Sequence, residues 1–174
     1  MYKRQALSVL TITMSKEIFN KGSWGYGLMD GMYGFGALIS TIVVAIITKK
    51  FGRRKSLIWC YSIAGLCCFI SPFSPTIYIA GIAYLLMGLH NNSARIIVRT
   101  LFMEIIPNNI MGRVQTIFGV YTRVMMLTSV LIAGWVTENL NPHIGMNFAS
   151  AHYLIALIGI IVISKFSNFR KEIF

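Results

Sequence analysis

The sequence predicts an all-α integral membrane protein, and three observations support this fold class. First, 56% of the 174 residues are hydrophobic and only 12% are charged, whereas about a quarter of the residues of a soluble domain are charged. Second, the hydrophobic residues form long runs, as expected where a helix needs about 20 apolar residues to cross a bilayer. Third, the positive charges gather at the ends of those runs, which is typical of cytoplasmic loops.

The strongest local signal is the stretch KKFGRRK at residues 49–55, which carries five positive charges in seven residues. The apolar run before it, residues 26–48, contains one charged residue, Asp30, and the run after it, residues 56–71, contains none. This pattern predicts a cytoplasmic turn between two transmembrane helices, and the turn fixes the orientation of the remaining spans.

A single transmembrane domain is predicted over residues 1–174. Its first apolar run is only about nine residues long, which is too short for a complete span. Gly27 and Gly31, in the second run, have a spacing that lets two helix backbones approach closely. The predicted spans are residues 6–14 (partial), 26–48, 56–71, 76–105, 114–137 and 147–164.

The boundaries between these spans follow from polar and helix-breaking residues. A polar loop, residues 16–25, is predicted after the first span, and Pro72 ends the third. Pro107, Asn108 and Asn109 end the fourth span, and Arg113 opens the fifth. If the fourth span is one helix as far as residue 105, its polar inner third projects towards the cytoplasm.

The charge distribution predicts the orientation. With residues 49–55 inside, the loops at residues 72–76 and 138–146 lie outside and contain no Lys or Arg. Of the 16 Lys and Arg residues, only Lys16 and Lys21 then fall outside. We therefore expect a protein of the cell (inner or plasma) membrane whose basic loop and C-terminus are cytoplasmic.

Several other classes of protein are disfavoured. A net charge of +11 is compatible with nucleic-acid binding, but the basic residues flank apolar runs, so lipid and not nucleic acid is the expected partner. Cys60, Cys67 and Cys68 share one apolar run with no histidine at metal-ligand spacing, and we expect buried thiols and no metal. No nucleotide-binding loop, zinc-protease motif or nucleophile elbow is present, so we expect no enzyme activity and no cofactor.

Ionisable residues within a span are costly and are therefore functional candidates. Arg95 and Arg99 are four residues apart and share one helix face, with Asn91 and Asn92 one turn earlier. This stripe predicts a cavity lining or a cytoplasmic gate, with Glu104 as a candidate ion-pair partner. The alternative is that the helix leaves the membrane earlier and its arginines reach lipid phosphates.

Three further residues are candidates for the substrate or ion pathway. Asp30 is suited to carrying a proton or meeting a cationic substrate, although a carboxylate near a helix N-terminus is also favoured by the helix dipole. His90 can titrate, or it can be a buried histidine bonded to a backbone carbonyl. Arg123 lies roughly 13 Å along the fifth span, where a cavity-facing position is favoured over snorkelling.

The basic loop resembles the signature loop of the major facilitator superfamily, Gly-x-Leu-x-Asp-Arg-x-Gly-Arg-Arg/Lys-x-x-Leu. Ala45 stands where the family has Gly, and Lys49 stands where it has Asp. Pro107 followed by Gly112-Arg113-Val114, and the stretch YGLMDGMYGFGALIS, are similar to the macrolide-efflux and enterobactin-exporter branch. The loop residues that match in kind are Ile47, Lys50, Gly52, Arg53, Arg54 and Leu57.

The resemblance implies the C-terminal half of a 12-helix secondary transporter, helices 7–12 with the first truncated, built as a 3+3 inverted repeat. It implies proton-coupled efflux of a small molecule by rocker-switch alternating access, which is incomplete without the N-terminal six-helix half or a second half-transporter. The alternatives are an inactive truncated membrane fragment and a structural membrane subunit. The residues implied in the cytoplasmic gate and its loop are Lys50, Gly52, Arg53, Arg54, Arg99, Glu104, Gly112 and Arg113.

Overall fold

The computed structural model describes residues 10–139 and 142–165, and the all-α fold class is confirmed for this part of the chain. It contains six helices and no strand. A short 3₁₀ turn, Ser71–Phe73, joins the third helix to the fourth. The helices are α1 (residues 10–18, ending in the π-helical turn Met14–Ile18), α2 (Gly22–Phe51), α3 (Arg53–Ile70), α4 (Ile77–Ile105), α5 (Asn108–Asn139) and α6 (Pro142–Lys165).

The helices extend beyond the apolar runs that predict them. Helix α2 has 30 residues and begins at Gly22, so the prediction of a polar loop over residues 16–25 is wrong at both of its ends. Residues 16–18 belong to a π-helical turn, which is fixed by a hydrogen bond of 2.6 Å from Ser15 Oγ to the carbonyl of Gly22. A helix can be longer than its apolar run, because its backbone hydrogen bonding continues from the hydrocarbon core into the headgroup region.

Within the described residues, three helices are long and apolar enough to cross a membrane: Gly22–Phe51, Arg53–Phe73 and Asn108–Thr137. Residues Asn147–Val162 form a shorter apolar helix. Helix α4 runs unbroken for 29 residues, but its amide and arginine residues lower its apolar character. A helix of this length with a polar inner third needs protein or water, and not lipid, against its polar face.

Aromatic side chains mark the two ends of α2. Trp24 lies at its start, packs edge-on against Tyr78 with ring centroids 6.3 Å apart, and is exposed. Phe51 is exposed at its end, as is Trp59 in α3. From Trp24 to Phe51 the helix is about 40 Å long at 1.5 Å per residue, close to the roughly 40–45 Å thickness of a bilayer with its headgroups. Aromatic residues at both interfaces are typical of membrane helices.

Helix α4 is the centre of the packing. It lies against α2 and α3, α3 also contacts α6, and α5 packs mainly against α6. One buried cluster joins α2 to α4 around Met29, Tyr33 and Tyr84. A second cluster, nearer the basic loop, includes Leu57 and Cys60 of α3. The three cysteines are free, with Cys60 and Cys68 buried and Cys67 half-buried.

The backbones of α2 and α4 approach each other closely at two glycines. A Cβ atom added to Gly36 would meet the carbonyl oxygen of Leu85, and one added to Gly88 would meet the carbonyl oxygen of Tyr33. Gly27 and Gly31 have no atom within 4 Å of such a position, so this pair makes no close helix contact within the described part of the chain. Both glycines lie on a face of α2 that is turned away from α4.

Candidate functional site

A cavity of about 620 Å³ lies between α2, α4, α5 and α6, with one residue each of α1 and α3 in its wall. This volume is in the range of about 300–1,000 Å³ that is typical of small-molecule sites. Helix α5 contributes apolar residues that include Phe118, Met125 and Met126, and α4 contributes a polar stripe. The polar side chains in the wall are Tyr33, Tyr61, Asn91, Asn92, Arg95, Arg99, Gln115, Tyr121, Thr122, Ser129, His152 and Tyr153.

The polar stripe of α4 is held by its two asparagines. Asn91 is buried, and its Nδ2 donates to the hydroxyl of Tyr33 across the α2–α4 contact at 2.7 Å. Asn92 donates to the carbonyl of Gly88 at 2.8 Å, and its Oδ1 accepts from Nη1 of Arg95 at 3.5 Å. The first amide joins the helices, and the second orients a guanidinium that reaches the cavity.

A second polar pair in the cavity wall was not identified from the sequence. Ser129 of α5 and Nε2 of His152 of α6 are 3.0 Å apart, and Nδ1 of His152 is 3.0 Å from the carbonyl of Phe148. A carbonyl can only accept, so Nδ1 carries the proton and Nε2 of the neutral ring accepts from the Ser129 hydroxyl. The available signal was a lone histidine within the apolar run 147–164, but its serine partner is 23 residues away.

Three other candidates for the substrate or ion pathway, Asp30, His90 and Arg123, are not among the described residues that line this cavity. Asp30 is half-buried in α2, one turn before the cavity residue Gly34 on the same helix face. His90 is half-buried, and its buried Nδ1 has no hydrogen-bond partner within the described part of the chain. Arg123 is exposed, next to the cavity residue Thr122. Among the described residues, the cavity wall therefore includes Asn91, Asn92, Arg95 and Arg99 and does not include Asp30, His90 or Arg123.

At the basic loop, Arg53 and Glu104 form a bidentate ion pair. Nη2 of Arg53 is 2.8 Å from Oε1 of Glu104, and Nη1 contacts Oε2. Glu104 thus pairs with the loop and not with Arg95 or Arg99. The pair joins the first residue of α3 to the last turn of α4, the helix that carries the polar stripe.

Gly52 makes the tight turn that presents the loop. Its φ of 75° is a conformation that other residues adopt only with strain, and its N–H caps α2 at the carbonyl of Thr48. Ser56 Oγ donates to the carbonyl of Gly52 at 2.7 Å and so fixes the first turn of α3. The signature glycine is therefore required by the backbone, because only one residue separates two long helices.

The remaining gate residues lie at the same end of the bundle. Lys50 is exposed, with Nζ 5.4 Å from the ring centroid of Phe51, and Arg54 is half-buried. Gly112 and Arg113 are exposed in the first turns of α5. These residues place positive charge around the ends of α2, α3 and α5.

The Arg53–Glu104 pair should contribute little to stability. The two side chains are 40% and 47% exposed, and exposed ion pairs stabilise by about 0.2–1 kcal/mol. A double-mutant cycle of Arg53→Gln and Glu104→Gln, measured by reversible unfolding in mixed micelles, should give a coupling energy below about 1 kcal/mol. The matched pair Lys55→Gln and Glu104→Gln should show no coupling. A coupling above about 2 kcal/mol would contradict this expectation and indicate a pair shielded from solvent.

Long apolar helices around a cavity that carries polar side chains define a helical membrane transport protein. The chain belongs to the Major Facilitator Superfamily, because the sequence model of that family matches residues 5–169. The chain is also similar to a D-xylose transporter of Levilactobacillus brevis, with 26% identity over 132 residues, which is 76% of this chain. The match covers 28% of the length of that relative. No solved structure matches the chain.

Proposed function

We propose that this chain forms one wall of the substrate pathway in a secondary transporter that moves a small molecule by alternating access. The observation that carries the proposal is the 620 Å³ cavity, whose wall includes the polar stripe of α4 within a bundle of largely apolar helices. Polar groups within a membrane-spanning bundle are costly when they face lipid, whereas in a cavity they can bind a solute. In transporters with repeated bundles, such a site lies near the midplane, and one bundle rocks against the other around it.

The proposal includes a second bundle. Helix α5 packs mainly against α6, and its cavity-lining residues Gln115, Phe118, Tyr121 and Met125 are exposed. The chain spans about a quarter of the length of its curated relative, since the match covers 28% of that protein. These facts favour a pathway that is completed by an N-terminal six-helix half or by a second half-transporter.

Proton-coupled efflux is the proposed mode of transport. Its support is the similarity of Pro107 and Gly112-Arg113-Val114 to the efflux branch, together with a titratable group, His152, in the cavity wall. Uptake of a hydroxylated solute is a second candidate. It is favoured by the amides of Asn92 and Gln115 in the wall and by the named substrate of the relative.

We propose that the protein lies in the inner or plasma membrane of the cell. In the proposed orientation the basic loop is cytoplasmic. Five positive charges lie in residues 49–55, and Arg113 is at the same end of the bundle. Cytoplasmic loops are enriched in such residues. The C-terminal charges that support this orientation, Arg170 and Lys171, lie outside the described residues.

Transport is tested with the purified full chain in proteoliposomes carrying an imposed pH gradient. The probes are radiolabelled D-xylose, the neutral lipophilic dye Nile red and phenyl phosphate, at low and high protein-to-lipid ratios. We expect movement of at least one probe that is absent from empty liposomes and is abolished by a protonophore. Movement only at the high ratio would identify a second copy as the other bundle.

Movement of no probe at either ratio would contradict transport by this chain and favour an inactive fragment or a structural subunit. Probe transport that is unchanged by the protonophore would support a transporter but contradict proton coupling. Nile red and D-xylose then separate the efflux proposal from the uptake alternative, because the two probes differ in polarity.

A further inference from the structure

The wall of the cavity carries uncompensated positive charge. Among the described residues that line it are two arginines, Arg95 and Arg99, and no aspartate or glutamate. Each guanidinium is permanently charged and offers five N–H donors. Arg95 uses one of them at 3.5 Å on Asn92, so most of its donors remain available to a solute.

The two arginines lie in the C-terminal half of α4 on a common face. They are four residues apart, which places their Cβ atoms about 5–6 Å from each other. Arg95 is ten residues before the end of α4 at Ile105, or about 15 Å along the helix axis. A charge at that depth is expensive unless it faces water or a counter-ion, and here the facing volume is the cavity.

The acidic residues nearest to these arginines do not neutralise them. Glu104 is held by both nitrogens of Arg53. Asp30 lies on α2, which runs parallel to α4 with Tyr33 beside Gly88. That register puts Asp30 level with residue 85 of α4, about 15 Å from Arg95 along the helix axis, beyond the range of a direct ion pair.

We propose that the cavity binds a solute with an anionic group, a carboxylate or a phosphate, between Arg95 and Arg99. The proposal rests on the transport function proposed above and adds the chemical class of the substrate. Asn92 orients the Arg95 guanidinium, and two guanidinium groups one turn apart can grip a planar or tetrahedral anion with charge-assisted hydrogen bonds. The apolar surface of Phe118, Met125 and Met126 contacts the remainder of the solute.

Binding of four matched aromatic probes tests this assignment. Isothermal titration calorimetry is carried out on the full chain in phosphatidylcholine nanodiscs with benzoate, phenyl phosphate, benzamide and benzylammonium. We expect one of the two anions to bind at least about tenfold more tightly than benzamide, since a charge-assisted hydrogen bond contributes more than a factor of ten. Benzylammonium should bind most weakly. The tighter of the two anions identifies the group as a carboxylate or a phosphate.

Variants link the preference to the two arginines. Arg95→Gln with Arg99→Gln should abolish the preference for the anion, whereas Lys55→Gln, which removes one exposed positive charge outside the cavity wall, should retain it. Far-ultraviolet circular dichroism verifies that the helices are intact. If the double glutamine variant loses helicity, Arg95→Lys decides: a folded Arg95→Lys protein should still prefer the anion, and equal binding of anion and benzamide would overturn the proposal.

Equal or tighter binding of benzamide or benzylammonium, binding of no probe, or a preference that survives in the folded double glutamine variant would each overturn the anion site. These results are distinguishable from failure of the transport function. If D-xylose or Nile red is transported but no anion preference is found, the transport proposal stands and the anion site is refuted. If an anion preference is found but no probe is transported, the anion site stands and transport by this chain is refuted.

Discussion

Replacing Gly88 with valine should separate α2 from α4 and strongly destabilise the bundle. A Cβ at this position would meet the carbonyl oxygen of Tyr33, and its next neighbours are the carbonyl carbon and Cα of the same residue. These are backbone atoms, so no side-chain rotation can relieve the collision. The two helices must move apart, and the hydrogen bond between Tyr33 and Asn91, one turn further along α4, would be lost with the contact.

The expected loss of stability is large for a single substitution. Overpacking costs about 1–3 kcal/mol, and a broken buried hydrogen bond adds about 1 kcal/mol. We expect Gly88→Val to lower the free energy of unfolding by about 3 kcal/mol, which is more than about a hundredfold in the folding equilibrium. Gly36→Val should act similarly, because its Cβ would meet the carbonyl oxygen of Leu85. Reversible unfolding in mixed micelles measures both.

Gly31→Val is the matched control, since no atom lies within 4 Å of its added Cβ. Glycine is a poorer helix former than valine, so this variant should change stability by less than about 0.5 kcal/mol. Similar losses for Gly31→Val and Gly88→Val would show that helix propensity or membrane insertion, and not the α2–α4 contact, determines the effect.

The glycines show which parts of the fold the sequence can predict. Apolar runs of membrane length predict the helices because lipid leaves no partner for backbone groups outside a helix. The spacing of Gly27 and Gly31 is compatible with close packing, but so is that of other small residues in α2. Which of them meets another backbone depends on how α2 is rotated about its axis, and that rotation is set by burial of Met29 and Tyr33 against α4.

The candidate site divides in the same way. The α4 stripe was predictable, since Asn91, Asn92, Arg95 and Arg99 are neighbours on one helix and their relation needs only the helical period. The contact between Ser129 and His152 was not predictable, because it depends on the packing of two separate helices. Asp30 and Arg123 are ionisable residues in predicted spans, but that property alone does not specify which face of a helix they occupy.

A membrane-impermeant maleimide should label position 75 and not position 51 in intact cells. The experiment uses Pro75→Cys and Phe51→Cys, each in a chain whose Cys60, Cys67 and Cys68 are replaced by alanine. Both positions are exposed, on opposite ends of the bundle, and Phe51→Cys keeps all five charges of the basic loop. Permeabilised cells should show labelling of both. Labelling of position 51 alone in intact cells would reverse the proposed orientation.

The cause of the orientation is tested by removing the charges. Converting Lys49, Lys50, Arg53, Arg54 and Lys55 to glutamine leaves the apolar runs unchanged, and the energetic bias against moving this loop across the membrane disappears. In the Phe51→Cys background, this variant should become labelled in intact cells, because part of the population inserts with the opposite orientation. The control is Gly52→Ala in the same Phe51→Cys background with all five basic residues retained, because it strains the same turn and keeps the charge of the loop. If the glutamine variant remains protected while Pro75→Cys remains labelled, the orientation is determined by Arg113 and the C-terminal charges and not by the loop between α2 and α3.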